Sequence, residues 1–442
     1  MLTKDQAKKL IDKTLSFATT PECFIGLRHE ESSFIRFALN GITTSGFTVE
    51  QTMSITVGKD GRTGSISVDE FDDRSLRAAV KEAERLAALT PPNPEREDPL
   101  GPQEYPAIEN YVESTATARN EAMIPHVRAI VEGAKAKGLV AAGLIERVAT
   151  IAAIANKRGN FGFGRTADAS LSTTVRDTGG ASSGWASMPA ARIEEIDGAA
   201  VARAAVEKCL RWKNPKRLDP GKYTVILEPT AVGDLVQLLG RSMHARAAEE
   251  GRSFLSKKGG GTLAGEKLFP ESVTLRTDPF NKLYSVLPWT FGAGLPTGRV
   301  EWIERGTVKN LFYDRYWAAR AGKKPTPFPI NLVLEGGDKT LDELISSVER
   351  GLLVTRFWYI RSVNPQTVQY TGLTRDGLFL VENGKVAGPV VNFRFNESPV
   401  RLLRNAAAMG RPIRVRGGEG QGMIAPAVVV GDFSFTSVSD AV

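Results

Sequence analysis

The chain has 442 residues, 42% of them hydrophobic and 24% charged, a composition ordinary for a soluble protein and a length beyond what one hydrophobic core usually organises. Two domains are expected. Its 57 Lys+Arg against 50 Asp+Glu give a net charge of +7, too dilute over this length to mark a nucleic-acid surface, and two distant cysteines, Cys23 and Cys209, exclude a disulfide framework and a cysteine metal cluster.

The opening MLTKDQAKKLIDKTLSF reads as an amphipathic helix over residues 3–17 and not as a charged stub followed by an apolar core, so no signal peptide is expected. No window approaches the roughly twenty apolar residues that a spanning helix requires, so a cytoplasmic chain without membrane attachment is expected. From Cys23 to Val57 apolar and polar residues alternate through FIGLRHE, SFIRFALNG and SITVGKD, closed by Asp60-Gly61, which predicts a small antiparallel sheet.

Asp72 or Asp73 caps a helix with Leu76, Val80, Ala83, Leu86 and Leu89 at helical spacing, ending against Pro91 and Pro92. The proline- and acid-rich TPPNPEREDPLGPQEYP follows as an extended surface connector. A long helix is expected from about Thr115 to Lys137, then strands through Leu171 to Val175, then a helix over Ala199 to Trp212. The break at KNPKRLDPGK places a boundary near Pro220, giving an α+β domain over 1–220 and a β-rich domain over 221–442.

The second domain starts with the strand YTVILE, and Pro229 then opens a helix whose Val232, Leu235, Val236, Leu239 and Met243 form one apolar face. Hairpins follow at RVEWIERGTVKNLFYD, through Arg305-Gly306, and at GLFLVENGKVAGPV, through Asn383-Gly384. Helices are expected from about Thr340 to Arg350 and from Ser398-Pro399 to Met409. The basic stretches KNPKR and RPIRVR lack interleaved aromatics and read as solvated loops, so a nucleic-acid partner is not expected.

The strings YTVILEPTAVGDLV, RSFLSKKGGGTLAGEKLFPESVTLRTDP, DGLFLVENGKVAGPVVNFRFNESP and GGEGQGMIAPAVVV occur in the order of the TldD/PmbA family, and the chain resembles that family over most of 222–430. The N-terminal run ESSFIRFALNGITTSGFTVEQTMSITVGKDGRTGSISVDEFD and the later NKRGNFGFGRTADASLSTTV resemble it too. The resemblance implies an α+β N-terminal domain, a barrel-like C-terminal domain with a few helices, and a dimer around an enclosed cavity. Catalytic members are zinc peptidases with a His-Glu-x-x-x-His string on the helix after the proline and a cysteine ligand before Glu-Gly-Gln.

Counted from Pro229, those positions are Gln237, Leu238 and Ser242, and counted back from Glu419-Gly420-Gln421 the cysteine falls near Arg416. An amide, an alkyl group, a hydroxyl and a guanidinium neither ligate zinc nor act as a base, so no cofactor is expected on this chain. The departure resembles the TldE/PmbA-type subunit. It implies a metallopeptidase complex acting on unfolded peptide, with zinc in a TldD-like catalytic partner, or else a self-dimer.

His244 with Glu249 is the only visible nucleus for a relocated metal, but five residues turn the pair about 140° apart on a regular helix, so a helix-surface histidine is the better reading. His29, beside Glu30 and Glu31, and His126, after Pro125, form no ligand-spaced cluster. No Gly-x-Ser-x-Gly elbow or phosphate loop occurs, and Gly259–Gly261 reads as a loop near the cavity. The segment LPWTFGAGLPTG, with Trp289 and Phe291, falls by resemblance near that cavity, and an exposed strand edge of the second domain would suit an extended peptide. The alternatives are a regulatory or DNA-associated binding protein and a self-sufficient peptidase with a relocated metal.

Overall fold

The computed structural model describes residues 1–290, 294–417 and 422–439. In its first half, α1 (Lys4–Phe17) starts from Thr3, whose hydroxyl accepts from the Gln6 N–H while the Gln6 side chain returns a bond to the Thr3 N–H. There follow β1 (Glu22–Ala38), β2 (Gly41–Lys59), β3 (Arg62–Val68), α2 (Asp73–Leu89), α3 (Glu113–Thr117), α4 (Asn120–Lys135), β4 (Val140–Asn156), β5 (Phe161–Arg176), β6 (Ser183–Ala190) and α5 (Gly198–Arg211).

The strands form one antiparallel sheet of six in the order β3-β2-β1-β4-β5-β6. It is larger than the small sheet expected, because FIGLRHE and SFIRFALNG are one 17-residue strand that runs unbroken through Glu30–Ser33. Asp72 caps α2 with bonds from the Arg74 and Ser75 N–H groups, and α1 and α2 bury Ile11, Leu76 and Ala83 against Ile25, Met53 and Ile55. α4 and α5 cover the other end, over Ile145, Leu171 and Val175.

The helix expected over Thr115–Lys137 is broken at Ala118 and Arg119, both extended. The Thr115 hydroxyl donates to the Ala191 carbonyl and accepts from the Ile193 N–H, each at 2.9 Å, which ties α3 to the far end of the sheet instead of to α4. The connector over 90–106 has no regular structure, yet it is more than a surface strand of chain. Glu95 receives two bonds from Arg246 at 2.7 and 2.8 Å, Arg96 pairs with Glu22, and the Tyr105 hydroxyl donates to the Gly294 carbonyl.

The second half runs β7 (Gly221–Leu227), α6 (Pro229–Gly240), α7 (Ala245–Glu249), β8 (Leu275–Thr277), β9 (Val300–Glu304), β10 (Thr307–Val308), α8 (Arg315–Arg320), β11 (Leu332–Leu334), α9 (Leu341–Ser346), β12 (Arg350–Asn364), β13 (Gln369–Glu382), β14 (Lys385–Pro389), β15 (Phe393–Glu397), α10 (Pro399–Arg404), β16 (Ala406–Met409), β17 (Ile413–Val415), β18 (Met423–Ala425) and β19 (Val428–Val438). Strands β12-β7-β19-β15-β13 pair in that order, and β13 returns to β12, closing a five-stranded barrel. The barrel-like expectation from the resemblance is met. A second sheet has the order β10-β9-β8-β11-β18-β17, and α6 packs between it and the barrel, against β12, β17 and β18.

Both expected hairpins form, through Arg305-Gly306 and Asn383-Gly384, with left-handed φ at all four residues. Three expected helices are shorter. α6 stops at Gly240, whose Cα lies so close to Pro329 and Leu332 that a Cβ would meet Leu332 at 2.9 Å, and Met243 is buried beyond the helix end. α9 ends at Ser346 because the chain enters β12 at Arg350, and α10 ends at Arg404 because Ala406–Met409 is captured by β19. No helix of the described residues is long and apolar enough to cross a membrane.

Phe357, Phe393, Phe395, Phe433 and Phe435 form one aromatic cluster of the barrel core, with Phe357 stacked on Phe433 at 5.6 Å. Phe433→Ala leaves a cavity among rings that cannot collapse into it, and is expected to destabilise the chain by about 3–5 kcal/mol. Chemical denaturation read by near-ultraviolet circular dichroism checks this, and a midpoint within error of wild type contradicts it.

Candidate functional site

Period-2 alternation on β5 turns Ala167, Ala169 and Leu171 inward against helices and Thr166, Asp168 and Ser170 to the opposite face of the sheet. That face, with Arg28 and Glu30 of β1 and Glu146, Val148 and Thr150 of β4, forms one wall of a cavity of about 780 Å³. Tyr284, Trp289, Arg414 and Arg416 of the second half form the opposing wall. An adjoining cavity of about 600 Å³ is lined by Gln237, Phe312, Phe328, Leu332 and Met423. The two share Arg241, Ile330, Asn331 and Gly422 and so make one groove between the halves.

The groove is rich in paired charge. The Arg414 Nη2 lies 2.5 Å from Asp168 Oδ1, with the arginine side chain only 10% exposed, and burial pushes the Asp168 carboxyl up despite Arg414 and Arg416 pulling it down. Arg416 stands 3.3 Å from both the Glu146 carboxylate and the Ser170 hydroxyl. Arg28 pairs with Glu30, which also accepts from the Thr150 hydroxyl at 3.0 Å. Arg241, at the C-cap of α6, has no ion-pair or hydrogen-bond partner for its guanidinium among the described residues.

Gln237 lines one cavity of this groove and Arg416 the other. Leu238 packs against the core cluster, and Ser242 lies past the helix end, its hydroxyl donating to the Leu238 carbonyl at 3.3 Å. No imidazole, thiolate or carboxylate occupies any of the four positions, so these residues do not fit a zinc ion. Asp234, one turn before Gln237, is buried and accepts the Phe357 N–H at 3.0 Å. Gly417 approaches it so closely that a Cβ there would stand 1.7 Å from Asp234 Oδ1, which requires glycine.

His244 is not a helix-surface residue. It occupies the N-cap position of α7 without a side-chain capping bond, sits half-buried with its ring edge-on to Phe312 at 4.7 Å, and burial holds its pKa below the usual histidine value. Glu249 accepts from the Tyr313 hydroxyl at 2.9 Å and from the Trp317 indole N–H at 2.7 Å, so both its oxygens are occupied within the fold. Among the described residues no group of three His, Cys, Asp or Glu is placed to hold a metal ion. His29 lies 3.4 Å from Glu31 in mid-sheet, and His126 Nδ1 meets the Gly198 N–H at 3.4 Å.

Gly259–Gly261 close an exposed turn with φ of 93°, 112° and 83°, and they do not line the groove. Trp289 does, edge-on to Tyr105 at 5.6 Å, while Phe291 and Glu419–Gln421 lie outside the described residues. The reading of RPIRVR as a solvated loop is corrected, because Arg414 is nine-tenths buried in the groove wall and Arg416 lines the groove. Sequence reasoning also passed over Asp168, Arg241 and Asn331. The alternation T-A-D-A-S on β5 was the available signal for Asp168, since it sets the acid on the face opposite two alanines.

The PmbA/TldA metallopeptidase domain 1 matches residues 23–87 and the PmbA/TldA metallopeptidase C-terminal domain matches residues 220–437. Among solved structures, TldE from Thermococcus kodakarensis superposes with a TM-score of 0.85 at 20% identity, over 97% of this chain and 99% of that one. Two proteins described as candidate modulators of DNA gyrase share the fold. One, from Bacteroides thetaiotaomicron, has a TM-score of 0.85 at 23% identity, over 99% of this chain and 100% of that one. The other, from Thermotoga maritima, has a TM-score of 0.82 at 21% identity, over 97% and 100%. A search of curated proteins finds no match. With both ends of its sequence matched by domains of one family and its whole length by that fold, the chain belongs to the PmbA/TldD family.

Proposed function

We propose that the chain is a non-catalytic, TldE/PmbA-type subunit of a cytoplasmic metallopeptidase complex, one that holds unfolded peptide while a TldD-like partner carries the zinc. The observation that carries this reading is the chemistry of Gln237, Leu238, Ser242 and Arg416, where an amide, an alkyl group, a hydroxyl and a guanidinium stand at the positions that would ligate the metal and supply the base. The surroundings support it. Leu238 is engaged in core packing, Arg416 adds positive charge to the groove wall, and Glu249 is committed to Tyr313 and Trp317.

The groove supports the peptide part of the reading. It joins a cavity with an aromatic and aliphatic stretch of wall to a more polar one, and is bordered by β17, an edge strand of the second sheet. An edge strand beside a groove can pair with extended chain, which a folded domain does not offer. A self-dimer would present two such grooves and no metal centre, so the hydrolytic step is assigned to a second gene product.

Elemental analysis of the purified chain is expected to give far less than one zinc per chain, and cleavage of an unfolded casein to appear only after a TldD-like subunit is added. One zinc per chain with hydrolysis by the chain alone overturns the reading. Placing a carboxylate at the base position by Leu238→Glu is expected to give no hydrolysis. It is also expected to destabilise the chain by about 1–3 kcal/mol, since it sets a charge against the apolar core, and the thermal midpoint measures this.

A further inference from the structure

The junction of the two cavities has a feature that peptide binding in general does not require, a set of guanidinium groups whose hydrogen-bonding capacity is only partly used. Arg241 lines both cavities and has no partner for its guanidinium among the described residues. Among the described residues the Arg416 guanidinium makes two long contacts, 3.3 Å to Glu146 and 3.3 Å to Ser170. Arg414 gives one N–H to Asp168, while its Nε and Nη1 are buried with no acceptor among the described residues. A buried donor without an acceptor is destabilising, and guanidinium groups with open donors match the geometry of a carboxylate.

The walls around this point fix what the carboxylate is attached to. On one side, Phe312, Phe328, Leu332 and Met423 give the smaller cavity an apolar stretch of wall for a hydrocarbon side chain, beside the polar Glu97, Gln237 and Asp314. On the other, Glu30, Glu146 and Asp168 are each matched to an arginine; of the two carboxylates that line the smaller cavity, Glu97 pairs with Arg315 at 3.7 Å and Asp314 accepts the Trp317 N–H, so among the described residues none forms an ion pair with Arg241. A cation with apolar walls on one side is a stronger attractor than one in open water, because the lower local dielectric weakens the competing solvent.

We propose that Arg241 and Arg416, backed by the buried Arg414, form a carboxylate-binding subsite for peptide at the junction of the two cavities, with an adjacent apolar side chain in the Phe312–Phe328 pocket. This rests on the peptide-binding reading above. The carboxylate comes from the peptide's C-terminus or from an aspartate or glutamate side chain, since the chemistry recognised is the same.

Isothermal titration calorimetry on the full chain separates these sources. The probes are an acetylated Gly-Ser-Gly-Ser-Gly-Leu hexapeptide as free acid and as amide, and an acetylated, amidated Gly-Ser-Glu-Leu-Gly-Ser hexapeptide with its glutamine counterpart. At least one acid is expected to bind about 10-fold or more tightly than its neutral counterpart, and whichever pair shows the difference identifies the source. Arg241→Gln and Arg416→Gln are each expected to shrink that preference, bringing the acid's affinity toward that of its neutral counterpart measured on the same variant, with near-ultraviolet circular dichroism confirming that each variant is folded. Equal affinity for acid and neutral peptides, or a preference untouched by both variants, overturns the subsite and leaves the peptide-binding reading standing. Absence of binding by all four peptides overturns both.

Discussion

The groove depends on the burial of α6 between the barrel and the second sheet. Ala231, Val232, Leu235, Val236 and Leu239 are inaccessible to solvent, so the helix is apolar on most of its circumference and admits little rotation. Its one buried acid, Asp234, is tolerated because the Phe357 N–H of the barrel wall donates to it. Gly417 closes on the same carboxylate with no room for a side chain. These contacts fix which residues of the helix reach the groove. Gln237 does, and Arg241 follows one turn later at the C-cap, where the negative end of the helix dipole favours a cation.

The two halves of the chain meet across this groove through polar contacts as well as apolar ones, Trp289 packing on Ala152 and Ile154 and Ile108 against Tyr284. Arg414 reaches Asp168, Ser285 accepts the Ala167 N–H at 2.8 Å, and Tyr105 on the connector bonds the Gly294 carbonyl. A buried ion pair contributes little net stability once both ions are desolvated, yet removing either partner is strongly unfavourable. Arg414–Asp168 therefore acts chiefly to set the position of one wall against the other. The raised carboxyl of Asp168 is the mark of that desolvation, which the arginine only partly offsets.

Much of the local structure was legible in sequence because it rests on short-range chemistry. Asp72 as a cap, Pro229 opening α6 and the turn at Asn383-Gly384 each follow from a residue's own backbone preference or reach. The errors fall where a distant partner decides. Ala406–Met409 has helical spacing but is taken by β19, and Thr115 is held by Ala191 and Ile193 and so parts α3 from α4. Gln237 and Arg416, which both line the groove, were reached through the family resemblance, and periodicity alone would not have found them. The rest of the groove draws on strands near residues 30, 150 and 168 and on loops near 284, 330 and 414, whose proximity no local pattern encodes.

A groove without a metal can still contribute to a reaction, because holding a substrate and transforming it are separable uses of binding energy. On the proposed reading the catalytic partner supplies zinc and a base, and this chain supplies position. Guanidinium groups suit that task, since they fix an anionic group by direction as well as by charge and do not titrate near neutral pH. Positioning of this kind restricts the register in which an unfolded chain lies across the complex. On that reading a guanidinium at Arg416 stands near where the family resemblance puts a thiolate ligand, and offers the substrate's own carboxylate a donor in its stead.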